Sequence, residues 1–228
     1  MEFIAFTYTE NFTENGPVKE VIFDVFEMVN HFFKENDLPI RFVYVGKMKL
    51  EPGYLITIRT PEGNVRAYPL EVLVEVLHAR LLNKIENTGI RMSRIFALTA
   101  FPLVSRNPYF DFYEKFLGIQ ETILKLRVML LSIKPFEPPG LSELLRRAGS
   151  GNLSKEEREL MGRKLRLFKN RLVKGVLHEV GHGFGLSHCN NNCVMNPPSS
   201  MEEWDSRMLG YCDSCFIDLK RAVEWSGR

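Results

Sequence analysis

Between His178 and Cys215 the chain carries three of its five histidines and all four of its cysteines. A sequence that used these residues only for packing would scatter them. Clustering them in so short a stretch obliges the fold to bring them together, so "HEVGHGFGLSHCNNNC" (178–193) is the strongest constraint on what this chain becomes. On a helix, residues four apart share a face, so His178 and His182 can point their imidazoles at one ion. Glu179 lies about 100° further round, close enough to flank such an ion without binding it. Gly185 takes a left-handed cap conformation readily, which predicts a helix end there and a sharp turn returning His188 to the same place.

Three neutral histidines leave a fourth coordination position for water, the signature of catalytic rather than structural zinc. Zinc lowers the pKa of such a water to about 7 and polarises a carbonyl, which points to metal-assisted hydrolysis of an amide bond. HExxH alone arises by chance in roughly one chain per hundred of this length, and adding Gly185 and His188 brings that to the order of one in 10⁵. Packed helix-face histidines, or a metal site without catalysis, are the competing readings, and the second must still explain Glu179. The cysteines form two pairs, Cys189-x3-Cys193 and Cys212-x2-Cys215. Four thiolates make a closed tetrahedral structural zinc site. Two disulfides, free thiols or a redox pair are the alternatives, disfavoured where the compartment is reducing and no thioredoxin-like context surrounds the pair.

The rest of the chain supplies the frame. "EFIAFTY", "PIRFVYVGKMKL", "YLITIRT" and "RIFALTAF" read as strands, and "ETILKLRVMLLSI" as one long strand-like run whose leucines also allow a helix. Pro17 opens a helix with apolar residues at helical spacing, and Pro69 opens a second through about Asn87. Ser154-x-x-Glu157 is a capping box that starts one long helix, or two joined near Gly162, leading to His178. "PEGN" reads as a turn, "SRNPYFDF" as a loop and "KPFEPPG" as a connector, and a last helix runs from about Ser214 to Trp225. Strands alternating with helices predict an α/β fold with a mostly parallel sheet. Residues 1–185 are expected to form an N-terminal α/β subdomain ending in the active-site helix. Residues 186–228 then form a small zinc-stabilised C-terminal subdomain. His31, at the edge of the first helix's apolar face, is expected to be a boundary or partly buried structural histidine, and His78, alone on the second, a structural one.

The net charge is +2 and no basic face is large enough to argue for nucleic acid. The N-terminus lacks a signal peptide's basic and apolar regions, and no apolar run approaches the roughly 18 residues of a membrane span. A soluble, cytoplasmic protein is expected. Neither oligomeric state nor substrate specificity is legible.

HExxHxxGxxH followed by a methionine, here Met195 in "CVMN", resembles the metzincin clan of zinc metallopeptidases. With Cys189 directly after the third histidine, Cys193, C-x-M and a distal CxxC, the pattern is similar to the archaemetzincins, although both cysteine loops are one residue shorter here. The motif covers 178–215. The resemblance implies a compact metzincin-like fold with a twisted sheet and a long active-site helix. It implies a zinc-dependent metallopeptidase acting on peptide or protein substrates through a zinc-bound water activated by Glu179. Catalytic zinc would sit on His178, His182 and His188, with Met195 as a hydrophobic floor, and a second, structural zinc on Cys189, Cys193, Cys212 and Cys215. An edge strand within 121–134 would pair with substrate. Tyr211 does not match an oxyanion-stabilising position. The alternative is a non-catalytic zinc-stabilised module that binds a peptide or protein.

Overall fold

The computed structural model describes residues 1–9, 17–60, 63–90, 92–104, 118–123 and 125–226. The loop expected at 105–112 lies outside them. A five-stranded sheet forms the frame, in the order β2-β1-β5-β7-β6, with β1 Glu2–Tyr8, β2 Ile40–Tyr44, β5 Arg94–Thr99, β6 Gly118–Ile123 and β7 Leu126–Ser132. The first four of these in spatial order run parallel and β6 is antiparallel to β7. The mixed, mostly parallel α/β fold is the one expected. A separate antiparallel hairpin consists of β3 Ile56–Thr60 and β4 Gly63–Ala67.

The sheet is covered on both faces, as parallel sheets must be. β5 shows why: all six of its residues are buried, and they alternate between two cores. Phe96 and Leu98 join Phe6, Met129 and Leu131 against α1 (Pro17–Glu35) and α4 (Lys155–Gly183). Ile95 and Ala97 join Val128 and Leu130 against α2 (Leu70–Thr88). The first core continues past residue 185 to Val194, Met195, Trp204, Leu219 and Val223, so α5 (Met201–Ser206) and α6 (Asp213–Ser226) pack on the same face. Among the described residues, no helix is long and apolar enough to cross a membrane.

Three local expectations need correction. The run 121–133 is not one strand but the hairpin β6–β7, closed where Ile123 faces Leu126. Lys125 supplies the left-handed residue of that turn at φ +71°, a conformation unusual outside Gly, Asn and Asp, so no turn signal showed in the sequence. The strand expected at 39–50 stops at Tyr44, and Gly46 at φ +88° bends the chain before Met48 makes a single bridge to Thr9. His31 is exposed rather than partly buried, its side chain 72% accessible beside Glu35. Two short helices were not anticipated: α3, Leu141–Gly149, and α5. The latter carries a usable signal, since Ser200 accepts from the Glu203 amide in the same Ser-x-x-Glu spacing that opens α4.

Candidate active site

The site is built on α4, a 29-residue helix. Its start is set by the capping box: the Glu157 amide donates to Ser154 Oγ at 3.2 Å, and the Ser154 amide donates to Glu157 Oε2 at 2.9 Å. Gly162 does not break it. Its end is a Schellman turn. The Leu186 amide donates to Gly181 O at 3.0 Å and the Gly185 amide to His182 O at 2.8 Å, with Gly185 at φ +93°. Two further glycines let the helix lie close to its neighbours. A Cβ at Gly181 would overlap the Met195 sulfur, and one at Gly183 would overlap the Met129 sulfur. Met195 itself is fully buried, under the turn of helix between the two histidines.

The structure brings His178, His182 and His188 together, with their ligand-type atoms within 4.8 Å of one another. His178 Nδ1 lies 2.7 Å from Val194 O and His182 Nδ1 lies 2.8 Å from Leu186 O. A carbonyl can only accept, so each Nδ1 carries the proton and each Nε2 presents a lone pair. Those two Nε2 atoms are 3.0 Å apart, lone pair towards lone pair, an arrangement that a cation between them would reconcile. Burial lowers the His178 pKa to about 3, with His182 adding to the effect, and burial also lowers that of His182. Both rings are thus neutral at physiological pH, the form that binds a metal. The donor set fits a zinc ion.

Glu179 points into a cleft of about 630 Å³ that also exposes His178 and His188. The residue is 4% exposed, and this burial raises its carboxyl pKa to about 8. Directly opposite is Gly118, the first residue of edge strand β6, where any Cβ would overlap the Glu179 carboxylate. The edge strand beside the site is therefore Gly118–Ile123, which overlaps the range 121–134 where it was expected only at 121–123 and meets Glu179 through a residue before that range.

The cleft wall holds residues that spacing alone did not reveal: Leu131, Phe136, Met201 and Trp204. Trp204 is fixed from α4 in two ways. Its Nε1 donates to Arg171 O at 3.2 Å, and Lys174 Nζ donates to Trp204 O at 2.7 Å and Asp205 O at 3.1 Å. Arg171 adds a two-pronged bond to the Asp205 carboxylate, at 2.7 and 2.6 Å. Tyr211 is buried elsewhere, its hydroxyl donating to Leu177 O at 2.5 Å, and does not line the cleft.

Cys189, Cys193, Cys212 and Cys215 form a second cluster, their sulfurs within 4.8 Å of one another. None of them is in a disulfide. A tetrahedral zinc with Zn–S bonds near 2.3 Å requires sulfurs about 3.8 Å apart, which this cluster accommodates. Cys193 Sγ accepts from the Met195 amide at 3.4 Å and the Cys212 amide at 3.2 Å, donors that favour a thiolate, although burial outweighs them and pushes the thiol pKa up to about 11 without a metal.

The model for "Peptidase family M54" matches residues 1–148 and 151–221. Curated relatives include archaemetzincins from Saccharolobus solfataricus, 47% identical over 62 residues (27% of this chain, 34% of that protein), and from Archaeoglobus fulgidus, 43% identical over 54 residues (24% and 34%). The matched stretch thus spans about a third of the length of these relatives. The fold is also that of solved structures. The archaemetzincin of Methanopyrus kandleri superposes with a TM-score of 0.61 at 19% identity, covering 98% of this chain and 96% of that one. A zinc-dependent peptidase from Methanocorpusculum labreanum gives 0.57 at 21% identity, covering 95% and 99%. With the family match running through nearly all of the chain, strands and helices as well as the histidine and cysteine motifs, the protein belongs to peptidase family M54.

Proposed function

We propose that this protein is a zinc-dependent metallopeptidase. In this reading His178, His182 and His188 hold the catalytic zinc, and Cys189, Cys193, Cys212 and Cys215 hold a second, structural one. The observation that carries it is the pair of facing Nε2 atoms, 3.0 Å apart, with the Glu179 carboxyl group lining the same open cleft as His178 and His188. Zinc held by the three histidines would supply a Lewis acid that polarises a carbonyl and makes water more acidic.

The chain's own residues supply the rest. Glu179 is the general base: burial alone favours its protonated form, a cation on the neighbouring histidines would draw it back to the carboxylate, and that carboxylate would take the proton from the attacking water and deliver it to the departing amine nitrogen. Val194 O and Leu186 O hold the two imidazoles in the tautomer that presents Nε2, a supporting role that typically matters tenfold or more for metal affinity. Peptides and proteins are the substrate class, in a reducing cytoplasm that keeps the thiolates available. The same reading divides the chain into an N-terminal α/β subdomain, 1–185, and a zinc-stabilised C-terminal subdomain, 186–228, which contains all four cysteines.

The test combines metal analysis with a peptide-library digest of the zinc-loaded chain. Two zinc ions per chain are expected, one readily removed by a chelator, together with cleavage products that disappear in Glu179→Ala while both ions stay bound. Loss of about 10²-fold or more in rate is expected for that variant. Full zinc occupancy with peptide binding but no cleavage would favour the non-catalytic module instead, and a single ion at full occupancy would sink the two-site scheme.

A further inference from the structure

Arg94 on β5 and Arg127 on β7 are register partners in adjacent parallel strands. Like charges placed side by side on a sheet repel, and Arg94 is also buried, 6% exposed. Something must stabilise the pair, and what both side chains face is the C-terminal end of α4. Gly183 O accepts from Arg94 Nε at 3.0 Å and from Arg127 Nη1 at 2.8 Å, and the same Arg127 nitrogen is 3.3 Å from His182 O. The backbone bonds of the closing turn go to the carbonyls of Val180, Gly181 and His182. The two guanidinium groups therefore serve the carbonyl that this turn leaves over, at the negative end of the helix dipole.

Arg94 extends the clamp. Its Nη1 donates to Glu2 Oε2 at 3.0 Å, its Nη2 donates to Ser226 Oγ at 2.9 Å, and its guanidinium lies 3.9 Å above the Phe184 ring. One buried cation thus ties the first strand and the last helix to the end of α4. Burial lowers its pKa to about 10, opposed by Glu2 and assisted by Arg127, which leaves it charged at neutral pH.

We infer that Arg94 and Arg127 are positioning residues for the histidine site, holding the last turn of α4 to the sheet and so setting where His182 and His188 present their imidazoles. The inference rests on the reading that the three histidines hold a metal. The mechanical link is short. His182 Nδ1 donates to Leu186 O at 2.8 Å, and the Leu186 amide closes the same turn on Gly181 O. The imidazole, the turn and the carbonyls held by the arginines therefore move as one unit, and His188 is two residues beyond it.

Arg127 is the better residue to change, because Arg94 has more structural partners. In Arg127→Met the aliphatic bulk stays and the donors go, and in Arg127→Lys the charge and one donor group stay. Metal-free full-length chain is titrated with Co²⁺ against a chromophoric chelator, since cobalt absorption separates nitrogen–oxygen from thiolate ligand sets. Arg127→Met is expected to weaken the histidine site by about tenfold or more, Arg127→Lys by less, and neither to change the thiolate site. Histidine-site affinity equal to the parent's overturns the inference even if the melting temperature falls. Equal weakening of both sites also overturns it, as general destabilisation. If Arg127→Met does not fold, the Arg127→Lys affinity decides by the same criterion. If the parent takes up no Co²⁺ on its histidines, the metal reading itself falls, and this inference with it.

Discussion

Glu179 and Gly118 show how much one missing side chain decides. The carboxylate occupies the place where a Cβ at position 118 would be, so the glycine is there for space and not for backbone freedom. Gly118→Ala should force the carboxylate or the edge strand to move, a change that typically costs about 1–3 kcal/mol. For a chain of this size that lowers the melting temperature by about 2–4 °C per kcal/mol. In a Glu179→Ala background the added methyl meets no carboxylate, and most of the loss should vanish. Thermal melts of the two single variants and the double variant check this. Additive losses would mean that the two residues do not compete for the same space. Glu179 and the seven histidines and cysteines of the motif were all legible from residue type and spacing, because helical periodicity and ligand chemistry are local. Gly118 was not, because nothing in its neighbourhood in the chain marks which residue of α4 it will face.

Among the elements, both ends of α4 were readable, though not its continuity past Gly162: Ser154 and Glu157 start it and Gly185 ends it, each through bonds reaching only a few residues. The hairpin β6–β7 was not, since its turn uses Lys125 in a conformation that the sequence does not advertise. Helix α5 matters more for the site. Six residues are too few for a helix to persist alone, and it is held from α4 by Arg171 and Lys174. Lys174 is 5% exposed and donates to two carbonyls at the end of α5. Lys174→Met keeps the length of the side chain but leaves those carbonyls without their donor, a loss of about 1–3 kcal/mol. The melting temperature should fall, and Trp204 fluorescence should shift as the cleft wall loosens. An unchanged Trp204 spectrum would show that Arg171 alone is enough to hold the wall.

On the scale of the molecule, the two clusters are joined by one peptide bond, His188 to Cys189. A second cavity, about 370 Å³, is lined by both residues and by Cys215 and Asp218 of α6. The Cys189 amide donates to Met195 O at 3.1 Å, so the junction is also tied to the loop beneath the histidines. A metal on the thiolates would anchor the chain where His188 must point. Cys189→Ser should therefore weaken metal binding at the histidine site, which Cys189 does not belong to, measurable as earlier release of the histidine-bound ion to a chelator. Unchanged release kinetics would show that the two sites are independent. Removing all metal with a strong chelator should lower the melting temperature further than loss of the histidine-site ion alone, because a metal on the thiolates would crosslink the Cys189–Cys193 and Cys212–Cys215 segments.

The sequence by itself determined which histidines and cysteines come together and the class of the fold. Ligand types, their spacing on a helix, the cap at Ser154, the turn at Gly185 and the alternation of strands with helices all act over a few residues, and short-range physics is written in short-range pattern. Tertiary structure alone decided what surrounds that chemistry. It brought Gly118 against Glu179, Trp204 against the cleft, and Arg94 and Arg127 onto the last carbonyls of α4. Each of these contacts joins positions from 30 to nearly 90 residues apart. Their energies depend on burial and on the register of strands that are not neighbours in the chain, and neither quantity exists until the sheet has closed and the helix has docked on it.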